Sequence, residues 1–426
     1  MRLEFCKKSF RVLLASSCVA TLLGVGYIKA KTENNLYSYS LFDEIQNNHH
    51  KKANRLIDRY KELYGIPSII VSVSKNGKVI YERAIGFSDV ENNVKANVDT
   101  VMRIASISKP LACLIAAKLH ENGKLDFDKP INEYLTDLPR FKVNNTEVEI
   151  TCRQLMCHTS GIRHYKEENK INSDKKDTIQ EFYLNKNFST SREALSLFIN
   201  DNLLSEPGAK YLYTTFGYTL LSAVLEKVSG TNFSDLVEEL LKKLELNETY
   251  LDKNEPIIPN RSKYYMRNDK GKLVNVPFVD NSYKWAGGGL LSNVDDLIKF
   301  GNLMLKIYQT DDDVEKFIKK STLKSELWKP HSFPQNKNNN LLSKTNEVCS
   351  YGLGWCLVMS EMDSIKYVYH TGGAVGASSC LLIVPETESS KLKPNGIVVA
   401  VLCNSQNVNE ISKFSQNIAR IFTDRI

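Results

Sequence analysis

The chain has 426 residues, of which 42% are apolar and 25% charged, with a formal net charge of +7. That length buries a large core and leaves room for two lobes, and the mix is that of a globular protein rather than a disordered or fibrous one. The positive excess is scattered as lysine, with no basic stripe interleaved with aromatics, which speaks against nucleic-acid binding.

Arg2, Lys7, Lys8 and Arg11 precede an apolar run from Val12 to Ile28. The run is short for a membrane span but adequate for a signal core or a marginal anchor, which would hold the protein near a membrane. A secretory signal fits it, and so does a mitochondrial presequence followed by a sorting segment; the residues leave both open. The next residues, to about 50, are polar and read as a tether. Lys51 to Tyr64 reads as a helix. Ser68 to Ser74 and Lys78 to Ile85 read as strands around Asn76-Gly77, the turn pair that favours a tight hairpin.

Ser106-Ile107-Ser108-Lys109 follows, just before Pro110 and a long apolar run. Proline is tolerated in a first helical turn, so it places Ser106 at a helix start. Positions three apart share a helix face, so the Ser106 hydroxyl and the Lys109 amine can meet. Serine is a poor nucleophile until a neighbour takes its proton, and a desolvated amine can do so. Ser108 has Leu111 as its counterpart and lacks that geometry.

The stretch from about 110 to 300 reads as mainly helical, with helix-type spacing over Ser191 to Asn200, Phe216 to Ser229, Asn232 to Leu244 and Val294 to Tyr308. Two polar stretches, about 166–190 and 337–347, read as surface insertions. Strands return at Tyr351 to Val358, Lys366 to His370, Ser378 to Pro385 and Gly396 to Cys403, and a last helix runs from Glu410 to about Thr423. Strands from both chain ends must then share one sheet, with the helical lobe inserted between them. The nine cysteines form no Cys-x-x-Cys, and the seven histidines lack ligand spacing, so neither a disulfide framework, a metal nor a cofactor is expected.

Three segments stand in the order that a serine acyl-transfer enzyme needs: Ser106-x-x-Lys109, Tyr213-Thr214-Thr215 and His370-Thr371-Gly372-Gly373. They resemble the Ser-x-x-Lys, Tyr-x-Asn and Lys-Thr-Gly boxes of the penicillin-binding protein and class C β-lactamase-like serine hydrolases. Leu155-Met-Cys-His158-Thr-Ser-Gly161, Trp285-Ala-Gly-Gly-Gly-Leu-Leu-Ser292 and Tyr351-Gly-Leu-Gly-Trp355 extend the likeness over roughly residues 50 to 426. The wording of several stretches, Val279 to Trp285 and His370 to Ser379 among them, closely resembles the mitochondrial branch of that family.

The resemblance implies an α/β (α+β) transpeptidase-like fold, with a central antiparallel sheet flanked by helices and a mainly helical inserted lobe. The chain would divide into a presequence over 1–30, a tether over 31–50 and a hydrolase domain over 51–426. Ser106 would be the nucleophile, and Lys109 and Tyr213 would handle its proton. Thr215, His370, Thr371, Gly372 and Gly373 would bind substrate, with the Gly373 N–H completing an oxyanion hole beside that of Ser106. Glycines at 372 and 373 would let a substrate backbone come close. It further implies a peptidase of the mitochondrial intermembrane space that self-assembles into filaments and influences lipid metabolism; a secreted protein, a structural filament without catalysis and a small-molecule esterase are the alternatives.

Two departures stand out. Thr215 occupies the place of the usual Asn and loses an amide that both donates and accepts. His370 replaces the usual Lys, and a histidine of ordinary pKa titrates near neutrality instead of being a permanent cation. Weak or absent penicillin hydrolysis is expected, with peptide or ester acyl groups preferred. His158 and His164 read as turn-fixing residues.

Overall fold

The computed structural model describes residues 47–166, 181–311, 317–333, 349–360, 364–386 and 394–423. The expected leader, most of the tether, the core of the first polar insertion and all of the second lie outside the described residues. The chain divides into two compact units, Met1–Arg55 and Leu56–Ile426. Helix α1 covers residues 47–64, so the last four residues of the expected tether are already helical. Among the described residues no helix is long and apolar enough to cross a membrane.

The second unit is built on an eight-stranded sheet. Its strands are β1 (Ser68–Lys75), β2 (Lys78–Asp89), β3 (Val94–Lys95), β4 (Cys349–Tyr351), β5 (Cys356–Met359), β6 (Ile365–Ala374), β7 (Ala377–Pro385) and β8 (Gly396–Cys403), in the order β4-β5-β6-β7-β8-β1-β2-β3. Every pairing is antiparallel. The join between the chain ends is β1 against β8, with Ile69 opposite Cys403 and Lys75 opposite Ile397. Asn76 and Gly77 both take positive φ (53° and 78°), the pair of left-handed residues a two-residue hairpin turn requires.

Strands β1, β7 and β8 are buried along almost their whole length, so both faces of this part of the sheet are covered. Helix α7 (Val294–Gln309) covers one face, where Gly301 lets the helix lie close: a Cβ there would stand 2.4 Å from Val398. Helix α8 (Ile411–Phe422) covers the other, with Phe414 stacked at 4.0 Å on Tyr60.

Between β2 and β4 lies the expected helical lobe. It holds α2 (Ser108–Glu121), α3 (Cys152–Met156), α4 (Phe216–Ser229), α5 (Phe233–Lys243) and α6 (Trp285–Gly288), besides α7. Short strands punctuate it, notably Met102–Arg103 with Leu290–Ser292 and Tyr250–Leu251. Two expectations need revision. The stretch 191–200 is α-helical only over Ser191–Ala194 and then tightens to a 3-10 turn at Leu195–Leu197. Tyr351 to Val358 is not one strand; Gly354, with φ of 80°, turns the chain between β4 and β5, and a Cβ there would meet Cys113 Sγ of α2 at 2.7 Å.

Candidate active site

Ser106 sits in a 3-10 turn, Ala105–Ile107, that runs directly into α2. Ala105 is held at φ of 50°, a left-handed conformation that an L-residue adopts only when its surroundings enforce it. Three contacts do so. Ser108 Oγ donates to the Ala105 carbonyl at 2.7 Å and accepts the Leu290 N–H at 3.2 Å. Ser379 Oγ of β7 donates to the Ile104 carbonyl at 2.7 Å. Gly372 of β6 presses on the same turn: a Cβ there would stand 2.3 Å from Ile104 O and 2.9 Å from Ala105 Cβ. Pro110 is the third residue of α2, where the missing N–H costs nothing.

One turn along, Lys109 is fully buried, with Nζ 2.9 Å from Ser106 Oγ. It donates to the Gly287 carbonyl of α6 at 2.5 Å and lies over the rings of Tyr213 (4.8 Å) and Tyr218 (5.3 Å). Among the described residues no carboxylate pairs with it. Burial pushes this amine well below the usual lysine range, and the Lys284 charge pushes the same way. Tyr213 arrives from the segment before α4, and its hydroxyl donates to Ser106 Oγ at 2.7 Å. Burial raises this phenol, which keeps it protonated.

The Tyr213 segment is pinned by two imidazoles, as expected of turn-fixing histidines. His158 Nδ1 accepts the Thr214 N–H at 3.2 Å, and His164 Nδ1 accepts the Thr215 N–H at 3.3 Å. The His158 ring also lies 4.2 Å from that of Tyr213.

Ser106 and Tyr213 open onto a cavity of about 270 Å³, and Lys109 is buried beneath them. Ser106, Tyr213, Thr215, Thr371 and Gly373 all line it. A Cβ on Gly373 would meet nothing within 4 Å, so that backbone faces open space. The neighbouring lobe contributes Gly287 and Gly288, and a Cβ on Gly287 would stand 2.6 Å from Thr215 Cγ2.

Two expected substrate-binding residues do not line the cavity. Gly372 is required by the packing of β6 on the nucleophile turn, not by a substrate. His370 is buried behind the wall: Nδ1 meets the carbonyl of Thr371 at 2.6 Å and Nε2 meets the Tyr351 hydroxyl at 2.9 Å. Nor does it titrate near neutrality; burial, reinforced by the Lys109 charge, pushes it down to about 3. It is a neutral ring at physiological pH and offers no cation to a substrate.

Sequence reasoning missed Lys284. It lines the cavity, is 4% exposed, and stands within 5.0–5.6 Å of the rings of Tyr165, Phe182 and Tyr283. Burial first, and the Arg103 charge second, lower its amine to about 7. Its one signal is its place between Tyr283 and Trp285, an apolar setting for a lysine.

The Beta-lactamase family model matches residues 53–415. The human serine beta-lactamase-like protein LACTB, mitochondrial, is 37% identical over 423 aligned positions, covering 83% of this chain and 76% of its own. Among solved structures, the octameric penicillin-binding protein homologue from Pyrococcus abyssi superposes with a TM-score of 0.69 at 22% identity, over 87% of this chain and 77% of that one. A class C beta-lactamase does so with a TM-score of 0.64 at 16% identity, over 88% and 96%. Likeness at such identities speaks to fold, and the family model and the human relative speak to descent: this chain belongs to the β-lactamase family.

Proposed function

We propose that the protein is a serine hydrolase that forms an acyl-enzyme through Ser106. The observation that carries this reading is the meeting of Ser106 Oγ with a fully buried Lys109 amine at 2.9 Å and the Tyr213 hydroxyl at 2.7 Å, beside a cavity that Ser106 and Tyr213 line. A neutral amine donates to Gly287 O and turns its lone pair to the Ser106 hydroxyl, which fits the downward push on Lys109. In attack, the Ser106 proton passes to Lys109 as Oγ bonds to the carbonyl carbon. The oxyanion is met by the N–H groups of Ser106 and Gly373 and by the positive end of α2. As the carbon–nitrogen or carbon–oxygen bond breaks, Tyr213 gives its proton to the leaving group and is reprotonated from Lys109. Water repeats the sequence in reverse and frees the acid.

The substrate class in this reading is a peptide, with esters as the alternative. The absence of a cation at position 370 argues against the carboxylate anchor that penicillin recognition uses. The name of the human relative and the basic, apolar start of the chain support a mitochondrial protein with a presequence over 1–30. A place facing the intermembrane space and an influence on lipid metabolism rest on the family resemblance alone. Self-assembly draws support from the octameric state named for the archaeal homologue.

Intact-mass analysis after a fluorophosphonate probe tests the nucleophile. One adduct on the wild type and none on Ser106→Ala is the expected result; equal labelling of both, or none on either, sinks it. Turnover of peptide against ester substrates then separates the two classes.

A further inference from the structure

Three buried side chains behind the cavity have no role in the chemistry above: His158, Tyr351 and His370. Tyr351 ends β4, is buried, and its hydroxyl stands between the two imidazoles, 3.2 Å from His158 Nε2 and 2.9 Å from His370 Nε2. The far nitrogens meet backbone groups of opposite kind. His158 Nδ1 faces the Thr214 N–H at 3.2 Å, and His370 Nδ1 faces the Thr371 carbonyl at 2.6 Å.

Those two backbone groups fix every proton between them. An N–H can only donate, so His158 Nδ1 is bare and its proton is on Nε2. A carbonyl can only accept, so His370 carries its proton on Nδ1 and Nε2 is bare. The Tyr351 oxygen then accepts from His158 and donates to His370, and no donor or acceptor is left over. A proton added to His158 would set two N–H groups against each other. A proton added to His370 would leave the Tyr351 hydrogen without an acceptor. Buried polar networks in which every member is satisfied define a unique geometry.

We propose that His158, Tyr351 and His370 form a neutral, one-way hydrogen-bond relay that positions the Tyr213 segment against the Thr371–Gly373 strand. The inference rests on the reading of Ser106 as nucleophile, because the two walls joined are those that carry its proton carrier and its oxyanion donor. The relay begins at the N–H next to Tyr213, whose ring also packs on His158 at 4.2 Å. It ends at the carbonyl two residues before Gly373. None of the three side chains lines the cavity. They are positioning residues, and they give the His370 position a task that the usual lysine cannot perform: an ammonium has no lone pair with which to accept the Tyr351 hydroxyl.

The test combines a spectroscopic readout with kinetics. Long-range proton–nitrogen correlation on histidine-labelled protein at pH 7 should find both imidazoles neutral, His158 protonated on Nε2 and His370 on Nδ1. Tyr351→Phe keeps the ring and removes the oxygen. It should slow fluorophosphonate labelling of Ser106, and kcat with it, by on the order of tenfold, with KM little changed, since a sub-ångström shift between walls acts on the reaction geometry. His370→Lys should slow both further, and His370→Gln, whose amide oxygen can accept from Tyr351, should recover part of the loss. A cationic imidazole or the opposite tautomers would refute the relay, whatever the kinetics. Tyr351→Phe labelling at the wild-type rate would refute its positioning role. A wild type that the probe never modifies defeats the nucleophile reading instead, and the tautomers then still decide whether the relay exists.

Discussion

Gly372→Ala offers the sharpest check on how the nucleophile turn is held. The new methyl carbon would stand 2.3 Å from Ile104 O and 2.9 Å from Ala105 Cβ. A carbon and a carbonyl oxygen come no closer than about 3.3 Å, so the strand and the turn must part by about 1 Å. Ser379 Oγ, 2.2 Å from the same point, can swing aside, but only by giving up its bond to the Ile104 carbonyl. A displacement of 1 Å at a reacting group costs about 10²-fold in rate, and overpacking costs about 1–3 kcal/mol of stability. Labelling of Ser106 by a fluorophosphonate, followed by intact mass, should therefore slow about a hundredfold while the protein still unfolds cooperatively. If Gly372→Ala labels within threefold of wild type, the turn is not fixed by this contact and the reasoning fails.

Three further outcomes are expected. Lys284→Met removes a charge that depresses Lys109, so the Lys109 amine rises; activity that needs the neutral amine then appears only at higher pH, and the acid limb of kcat/KM moves upward. A limb that stays put or moves down would show that Lys109 is not the base. Asp252 is 1% exposed and binds Arg103 at 2.7 Å as well as Arg261. Burial acts to raise its carboxyl, but the two arginine charges outweigh burial and hold it below the usual range. Its contribution is therefore present above the ordinary carboxylate pKa and is lost as pH falls through the lower folded value. Asp252→Asn should cost about 3–5 kcal/mol at pH 7 in urea unfolding, because Arg103 stays buried without its counter-charge; a loss under 1 kcal/mol would contradict this. Penicillin turnover should be slow or undetectable beside that of a dedicated β-lactamase, and a comparable rate would show that a cation at position 370 is dispensable.

What the residues revealed in advance was local. The Asn76-Gly77 hairpin, the α4 and β8 boundaries and the one-turn spacing of Ser106 and Lys109 follow from short-range rules of φ, periodicity and pitch. What stayed hidden depends on remote partners. His370 looked like a titrating substitute for lysine because its neighbours in sequence do not disclose the Tyr351 hydroxyl on another strand. Gly372 looked like a gap for substrate, whereas the space belongs to Ile104 and Ala105. Lys284 was invisible because periodicity does not distinguish a lysine aimed into a cavity from one aimed into water. The break at Gly354 was missed because an apolar run reads as strand until the packing of its turn on Cys113 is known.

The pairing of β1 with β8 also governs how this polypeptide can be made. During synthesis the first hairpin emerges long before the partner along its inner edge, Gly396–Cys403. Until that strand arrives, the inner edge of β1 has no partner, and an unpaired strand edge is the kind of surface that seeds aggregation. Closure over so long a loop is slow, and a truncation before residue 396 would leave that edge of the hairpin without its partner strand.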